Sequence, residues 1–221
     1  MSSTKAFTHF QENKLDVDQL WKIHQEFAGA GSGRKFGVEV LNKAVIVFIT
    51  ACWESYLEDL ARESFKILLD NAPSATALPS KVRDSVTRHI FEQKDSRRVW
   101  DLADSGWKSM MQTHTQEVLD RWIGTFNTPK TAQVDELFLE LLGIPKISAY
   151  WKWRRMPVVK ASARLDMYVT MRGNIAHRTE HDAAVYKDQG VEFLNHVSIL
   201  IELSEKAVAD HLKGIIGREP W

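Results

Sequence analysis

The stretch that decides the fold is VEVLNKAVIVFITACWESYLEDL, which runs from Val38 to Leu60. Its apolar residues recur at spacings of three and four, the period of an amphipathic helix. They are Val38, Leu41, Val45, Phe48 and Cys52, and the row continues less regularly through Tyr56, Leu60 and Leu68. The pattern predicts a helix over about residues 37–70, ended by Asn71-Ala72-Pro73. At 1.5 Å per residue it would be about 50 Å long, which suits the central helix of a bundle.

The same helical period extends over much of the remaining chain. It predicts helices over about residues 15–27, 129–143, 157–172 and 187–212. In the second of these, the residues expected to face the core are Val134, Leu137, Phe138, Leu141 and Leu142, and in the last they are Val191, Leu194, Val197, Ile201 and Val208. Gly143 is expected to end its helix as a C-terminal glycine.

Residues 71–129 have a less regular pattern. They predict two or three shorter helices, over about residues 80–91 and 97–122, with Trp100, Trp107 and Trp122 packed against the long helix. Neither a persistent β-type alternation nor a repeat period is visible. We therefore predict an all-α fold: a bundle of long antiparallel helices in a single domain over residues 1–221, with residues 71–129 as an insertion of shorter helices.

Composition restricts the class of protein. Hydrophobic residues make up 44% of the chain, which is enough to bury a core. The 29 basic and 29 acidic residues cancel, so nucleic-acid binding would need a local basic patch rather than a global positive field. The single cysteine excludes an internal disulfide. Because the N-terminal residues lack an apolar signal region and no apolar run reaches 18 residues, we expect a soluble, cytoplasmic protein without a membrane partner.

The segment Arg172-Gly173-Asn174-Ile175-Ala176-His177 is the main candidate for chemistry. A guanidinium binds phosphate oxygens bidentately, and an imidazole exchanges a proton near neutral pH. On an uninterrupted helix, residues five apart point about 140° apart and hardly serve one ligand atom. Gly173 and Asn174 are residues that tolerate the left-handed conformation at a helix end. We therefore predict that the helix ends after Arg172, which would let Arg172 and His177 converge.

The residues alone leave a structural interpretation open. An arginine and a histidine at this spacing are expected by chance in a chain of this composition. Arg172 could be an ordinary cation at a helix C-terminus, answering the helix dipole, and His177 a partly buried residue in a turn. The spacing between Arg172 and His177 is therefore informative only together with the surrounding sequence.

That context resembles a known family. The segment MRGNIAHR, from Met171 to Arg178, resembles the R-x4-6-H motif of the HEPN superfamily (higher eukaryotes and prokaryotes nucleotide-binding domains), and most of all the branch that includes RNA-cleaving toxins and phage-defence proteins. Residues 51–60 resemble the long W-E-x-Y helix that precedes the motif, and the connector at 144–153 is also similar. The resemblance covers about residues 38–70 and 130–212. One departure is that Gly173 follows the arginine, where many members have Asn or Asp.

The resemblance implies a helical bundle that works as a homodimer, with the motifs of both subunits facing one cleft. It implies cleavage of RNA, without metal or cofactor, by attack of the ribose 2′-hydroxyl on the adjacent phosphate. His177 would be the general base or acid, Arg172 would stabilise charge on the phosphorane-like transition state, and Asn174 would hold the phosphate or the histidine. The setting would be a toxin–antitoxin or phage-defence system, with an antitoxin or another protein as a further partner.

Two other groups of residues are candidates for supporting roles. Glu54 either pairs with Arg172 and orients it, or is an exposed acid on a helix that also offers a Glu58–Arg62 pair. The segment Trp151-Lys152-Trp153-Arg154-Arg155 interleaves aromatic and basic residues, as single-strand-binding surfaces do. Packing of one tryptophan in the interior, with a solvated basic edge, is the commoner arrangement. The candidate RNA-binding residues are Lys152, Arg154, Arg155 and Arg178.

Other chemistry has less support. His177 and His181 lack a third zinc ligand nearby, and Asp182 is better explained as a helix N-cap, so no metal is predicted. Cys52 lies in the apolar row and is expected to be a small core residue. The rival to a nuclease is a non-catalytic helical module that binds RNA, a nucleotide or a protein partner. A third interpretation is a purely structural bundle.

Overall fold

Eight α-helices make up most of the described chain. The computed structural model describes residues 4–28, 37–92, 96–177 and 184–221. The helices are α1 (Lys5–Ala28), α2 (Glu39–Asn71), α3 (Ser80–Glu92), α4 (Gly106–Thr113), α5 (Thr115–Ile123), α6 (Thr131–Leu142), α7 (Val158–His177) and α8 (Lys187–Ile216). Short 3-10 segments lie at Ala75–Ala77, Ser96–Leu102 and Ile147–Tyr150. No strand occurs within these ranges, and the predicted all-α bundle is confirmed.

Helix α2 is the central element, in contact with α1, α6, α7 and α8. Two adjacent residues are buried at several of its turns, which widens the buried stripe beyond one amphipathic face; these pairs are Val45 and Ile46, Cys52 and Trp53, Tyr56 and Leu57, and Leu60 and Ala61. The predicted row is confirmed at most of its positions. It is wrong at Phe48, whose side chain is 37% exposed. The stripe is centred on Ile49 and Trp53, so Phe48 falls at its outer edge.

Helix α1 begins at Lys5, well before the start predicted near residue 15. The Thr4 hydroxyl accepts a hydrogen bond from the Phe7 N–H at 2.9 Å. The Glu63 carboxylate of α2 accepts from the N–H groups of Lys5 and Ala6. These oxygens satisfy donors that every helix start leaves without a partner. One of the two caps comes from a distant part of the chain, which local periodicity cannot show.

Helices α2 and α8 run in the same direction. Near their N-terminal ends the Asn42 amide donates to the Val185 carbonyl at 2.8 Å. Farther along both helices the Tyr56 hydroxyl donates to the Ile201 carbonyl at 3.1 Å. The chain between them, through α3 to α7, returns to the starting end of the bundle. Helix α7 therefore runs back against α8.

Gly190 allows three helices to approach one another. A Cβ there would lie 2.8 Å from the Trp21 ring of α1 and 3.0 Å from the Val45 side chain of α2. Most predicted core residues of α8 are buried, namely Leu194, Val197, Ile201 and Val208. Val191 was predicted to face inward, but it is 39% exposed. The close contact at Gly190 determines which side of α8 faces the core, and Val191 lies about 100° away on the helix.

Helix α6 follows its sequence pattern closely. All five predicted core residues are buried, from Val134 to Leu142. Gly143 ends the helix in the left-handed conformation with a φ of 76°, which confirms the predicted C-terminal glycine. The first turn is capped by a side chain of another helix, since the Thr131 N–H donates to the Asp166 carboxylate of α7 at 2.8 Å. This bond attaches α7 to the start of α6.

Residues 71–129 contain the predicted shorter helices. Helix α3 contacts α6, α4 contacts α2, and α5 contacts α6. Trp107 and Trp122 pack against the core, as predicted. Trp100 does not: it is 80% exposed and lies in the 3-10 segment that precedes α4. Such a short segment has no apolar stripe to direct the indole inward. The status of residues 71–129 as an insertion stays a prediction.

Among the described helices, only α2 is long and apolar enough by composition to cross a membrane. Half of its apolar window is buried by the rest of the protein. A core helix of a globular protein has the same composition, because it is surrounded by other helices. Packing against α1, α6, α7 and α8 accounts for the apolarity of α2.

We predict that protonation of His196 destabilises the fold. Burial lowers the pKa of His196; the hydrogen bond to the Ala161 carbonyl opposes this shift, and the charge of Arg164 adds to it. Because the folded pKa lies below that of the unfolded chain, the contribution of His196 to stability is constant above about pH 6.5 and falls with pH below it, by at most about 1.4 kcal/mol per pH unit. Chemical denaturation at pH 7.5 and pH 5.5 measures the difference.

The His196→Gln variant separates this effect from other titrations. Glutamine does not titrate, and its amide can still donate to the Ala161 carbonyl, so the His196 share of the pH dependence should disappear. The control is His9→Gln. His9 is exposed on α1, and the hydrogen bond to Asp59 raises its pKa, which is the opposite of the shift of His196. This variant should therefore not lose the acid sensitivity. An unchanged acid sensitivity in His196→Gln would show that His196 is not its source.

Candidate functional site

Helix α7 carries the candidate site and continues without a break to His177. The predicted helix end after Arg172 is wrong, because Gly173 and Asn174 lie inside the helix. A glycine in a helix interior costs about 1 kcal/mol relative to alanine. Met171 and Ile175, on either side of the glycine, pack against the hydrophobic core. Their burial offsets the weak helix propensity of the two residues between them.

The continuous helix directs Arg172 and His177 to different sides. Five residues turn an α-helix by about 140° and advance it by about 7.5 Å. Arg172 faces α2 and its side chain is 30% exposed, whereas His177 is exposed on the last turn of α7. Within one chain, this geometry does not bring the two side chains to one ligand atom.

Arg172 forms an ion pair with Glu54 of α2. The guanidinium Nη2 lies 3.7 Å from Glu54 Oε2, with side-chain exposures of 30% and 22%. Burial raises the pKa of Glu54, and the charge of Arg172 partly opposes the shift. Glu54 Oε2 is buried and lacks a hydrogen-bond partner among the described atoms. Two interpretations of Glu54 were open, an ion pair with Arg172 or an exposed acid. The structure shows the ion pair.

A second carboxylate lies one turn further along α2. Burial raises the pKa of Glu58; the charge of Glu54 raises it further, and Arg62 opposes the shift. Glu54 and Glu58 are four residues apart, so they share one face of the helix and repel each other. Arg172 on one side and Arg62 on the other reduce this repulsion. The coupling between Glu54 and Glu58 was not anticipated, although their spacing is visible in the sequence.

Asn174 lies beside His177 rather than beside Arg172. Residues three apart are neighbours on a helix, about 60° from each other, whereas Asn174 and Arg172 point about 160° apart. Asn174 is half-buried and His177 is exposed. Asn174 and His177 therefore project from the same side of the end of α7. A ligand at the end of α7 could contact both.

The basic segment before α7 is divided between core and surface. Trp151 is fully buried, and its indole N–H donates to the Ser204 hydroxyl at 2.9 Å. Trp153 is half-buried, with its ring centroid 5.4 Å from that of His196. The cations of the segment are exposed, namely Lys152, Arg154 and Arg155. This is the commoner arrangement, with one tryptophan packed inside and a solvated basic edge.

The basic segment and Arg172 lie at opposite ends of α7. Val158 begins the helix and Arg172 is 14 residues further, which corresponds to about 21 Å along the axis. Lys152 and Arg155 therefore do not reach a phosphate that Arg172 binds. Arg178, the fourth candidate RNA-binding residue, lies outside the described residues.

Metal and thiol chemistry find no support in the described part of the chain. No group of three or more potential metal ligands occurs there, and His181 and Asp182 fall outside it. Cys52 is buried, and burial raises the pKa of its thiol to about 11. The thiolate, which is the reactive form, is therefore scarce at neutral pH.

Comparison with known proteins identifies one family. A sequence model of the family described as RiboL-PSP-HEPN matches residues 12–210. The matched range includes α2, the whole of α7 and most of α8. Searches of curated proteins and of solved structures found no match.

We predict that Gly173→Ala stabilises the protein by up to about 1 kcal/mol, because alanine is the better helix former. The backbone of Gly173 is helical, and among the described residues no atom outside its own helix lies within 4 Å of a Cβ built there. The measurement is the midpoint of unfolding by urea or heat. A loss of stability would contradict the continuous helix, since alanine is strained in the left-handed conformation of a helix end.

The matched control is Gly190→Ala. Its Cβ would lie 2.8 Å from the Trp21 ring, so the same substitution should destabilise the protein there. Opposite signs at the two glycines would distinguish helix propensity from packing.

Proposed function

This chain belongs to the RiboL-PSP-HEPN family of the HEPN superfamily, and from that premise we propose that it is an endoribonuclease that cleaves RNA without a metal ion. The family supports a nuclease or RNA-related role in general. The observation that carries the finer proposal lies in the last two turns of α7. There Arg172 is held by Glu54, while Asn174 and His177 lie side by side on another part of the helix.

The proposed reaction is an internal transesterification. The ribose 2′-oxygen attacks the adjacent phosphorus, so that a bond forms between them and the bond from phosphorus to the 5′-oxygen breaks. A base takes the proton of the 2′-hydroxyl, and an acid protonates the departing 5′-oxygen. The products are a 2′,3′-cyclic phosphate and a 5′-hydroxyl end.

Each side chain has a role that its chemistry allows. His177 transfers the protons, because an imidazole can accept and donate near neutral pH. Arg172 stabilises the charge that develops on the phosphorane-like transition state. Asn174, beside His177, holds a phosphate oxygen or orients the imidazole. Glu54 is a positioning residue, since it holds the guanidinium of Arg172 and does not reach the substrate itself.

We propose that the active form is a homodimer. On one α7 the side chains of Arg172 and His177 point about 140° apart, so a complete set requires the motif of a second copy. A two-fold axis between the two motifs would place the arginine of one subunit opposite the histidine of the other. Two imidazoles in one cleft would also allow one to act as base and the other as acid.

The first prediction from this proposal concerns the two motif side chains. His177→Ala should lower kcat by at least about 100-fold through loss of acid–base catalysis. Arg172→Ala should lower it by about 100-fold or more through loss of transition-state stabilisation. The measurement is cleavage of end-labelled single-stranded RNA, with detection of 2′,3′-cyclic phosphate ends. If both variants cleave as fast as the parent, the assignment of the site is wrong.

Three controls accompany this experiment. His177→Ala should unfold at the parent temperature because His177 is exposed, whereas Arg172→Ala removes the partner of Glu54 and should be assayed below its own unfolding temperature. The parent should remain active in EDTA, and complete loss on chelation would indicate a metal enzyme. If each site takes Arg172 from one subunit and His177 from the other, a mixture of the two variants should recover up to about a quarter of the parent activity. Binding of RNA without cyclic phosphate products would favour the non-catalytic rival.

A second prediction concerns Glu54. Glu54→Gln should lower kcat by roughly tenfold, as loss of an orienting partner does elsewhere, with little change in KM. Burial raises the pKa of Glu54, so the charged form at neutral pH costs stability that glutamine would not. The variant should therefore be at least as stable as the parent at pH 7. Steady-state kinetics and thermal unfolding measure the two effects.

Glu58→Gln is the matched control, because Glu58 is also half-buried with a raised pKa but lies one turn from the pair with Arg172. It should retain the parent kcat. If Glu54→Gln and Glu58→Gln lower kcat equally, the loss of a negative charge on α2, rather than the loss of the Glu54–Arg172 pair, is the cause.

The toxin–antitoxin or phage-defence setting is also a proposal. It expects that expression of the parent chain inhibits bacterial growth, that His177→Ala abolishes the inhibition, and that an antitoxin or another protein is the natural partner. Equal inhibition by the parent and by His177→Ala would argue against this setting.

A further inference from the structure

The turn before α7 lies beside an open basic depression of the surface, here called the pocket, which the proposed reaction does not use. Its volume is about 410 Å³, and its described lining consists of Lys152, Trp153, Arg155, Met156 and Pro157. Two of these five are cations and none is acidic. The other three provide an indole, a thioether and a proline ring.

The pocket is formed by the backbone of a closed turn. The Trp153 N–H donates to the Met156 carbonyl at 3.1 Å, and the Met156 N–H donates to the Trp153 carbonyl at 2.9 Å. Arg154 and Arg155 occupy the tip between these bonds. The ring of Trp153 lies 5.4 Å from the buried ring of His196, tilted by 54°. A ligand would therefore meet an ordered site and would not have to fix the turn.

Arg155 takes a backbone conformation that does not suit it. Its φ is +63°, in the left-handed region, where glycine and asparagine are the favoured residues. Glycine would form the same turn with less strain. The turn therefore places the guanidinium of Arg155 at its tip at some cost in backbone strain.

The chemistry of the pocket fits a nucleotide. Every base has a π-face that stacks on an indole, and such stacking tolerates any sequence. The guanidinium of Arg155 and the ammonium of Lys152 suit phosphate oxygens. Because the chain has no net charge, these local cations, rather than a global field, would attract the phosphate.

A row of side chains on α7 leads from this pocket to the candidate catalytic residues. We name it the α7 stripe; it consists of Lys160, Arg164, Met167, Met171 and Asn174, at spacings of four and three residues. These positions lie within about 80° of one another on the helix. Lys160, Arg164 and Met167 are exposed, and Met171 and Asn174 are half-buried. The stripe therefore presents two cations next to the pocket and ends beside His177.

We propose that the pocket and the α7 stripe form a binding track for single-stranded RNA. One base stacks on Trp153 with its phosphate on Arg155 and Lys152, and the strand follows the stripe to His177. The length of α7 from Val158 to Arg172, about 21 Å, corresponds to about six stacked nucleotides at ~3.4 Å each. The direction of the track rests on the proposed function, whereas RNA binding by the pocket does not require cleavage.

The test measures binding in a His177→Ala background, so that the RNA stays intact. The probe is a fluorescein-labelled RNA of ten uridines, followed by fluorescence anisotropy. Arg155→Gly should weaken binding about tenfold, because it removes a charge-assisted phosphate contact. It should leave the unfolding temperature unchanged or raise it, because glycine suits the left-handed turn. If Arg155→Gly in this background binds the RNA as tightly as His177→Ala alone, the proposal is overturned.

Two controls identify the ligand and the site. Lys66→Gln removes an exposed cation of α2 and should change binding by less than about twofold, since Lys66 belongs neither to the pocket lining nor to the stripe. If Lys66→Gln loses as much RNA affinity as Arg155→Gly, overall charge explains the loss and the proposal is overturned. A peptide of ten glutamates should compete poorly with the RNA. Competition as strong as that of unlabelled RNA would assign the pocket to an acidic protein partner instead.

The length of the track is tested by RNA cleavage, with His177 intact in the parent and in Arg155→Gly. A ten-nucleotide RNA can reach both the pocket and His177, whereas a dinucleotide cannot, so the parent should have the lower KM for the longer RNA. In Arg155→Gly the two KM values should approach each other. Equal KM values already in the parent would overturn the track. If His177→Ala cleaves normally, the proposed function fails, yet weaker binding by Arg155→Gly would still support the pocket.

Discussion

One turn of α2, from Trp53 to Tyr56, joins the central helix to three others. The Trp53 indole donates to the Pro129 carbonyl just before α6, and the Tyr56 hydroxyl donates to the Ile201 carbonyl of α8. Between them, Glu54 forms the ion pair with Arg172 of α7. Both hydrogen bonds are buried, so their loss would leave polar groups without partners in the core. The position of α7, and with it that of the motif, depends on this turn.

The continuity of α7 has the largest consequence for function. A helix that ended after Arg172 would let one chain assemble the whole site, but the helix continues and separates Arg172 from His177. Burial of Met171 and Ile175 favours continuation over the local preference of Gly173. The same continuity lines up the α7 stripe, because side chains at alternating spacings of four and three share a face only on an unbroken helix. One backbone feature thus underlies both the proposed dimeric site and the proposed RNA track.

The fold was predictable wherever an apolar pattern agreed with the local preference of the residues. Helix α6, with Gly143 after it, is such a case, and so are most positions of α2. The prediction failed where the deciding partner was distant in sequence. The start of α1 depends on the Glu63 carboxylate, and the outward position of Val191 follows from the contact of Gly190 with Trp21. Neither contact leaves a trace in the local periodicity of α1 or α8.

The same distinction between local pattern and distant contact applies to the candidate site. The sequence by itself determined which side chains are candidates and which family they resemble, since these depend on residue types and spacings; it also offered Glu54 as one of two interpretations. Only the tertiary structure decided that Glu54 meets Arg172, that Asn174 accompanies His177, and that Trp153 stands at a basic pocket while Trp151 is buried. The physical reason is that burial and direction depend on the packing of several helices at once. The free energy of that packing exceeds the preferences of single residues, as Gly173 inside α7 shows.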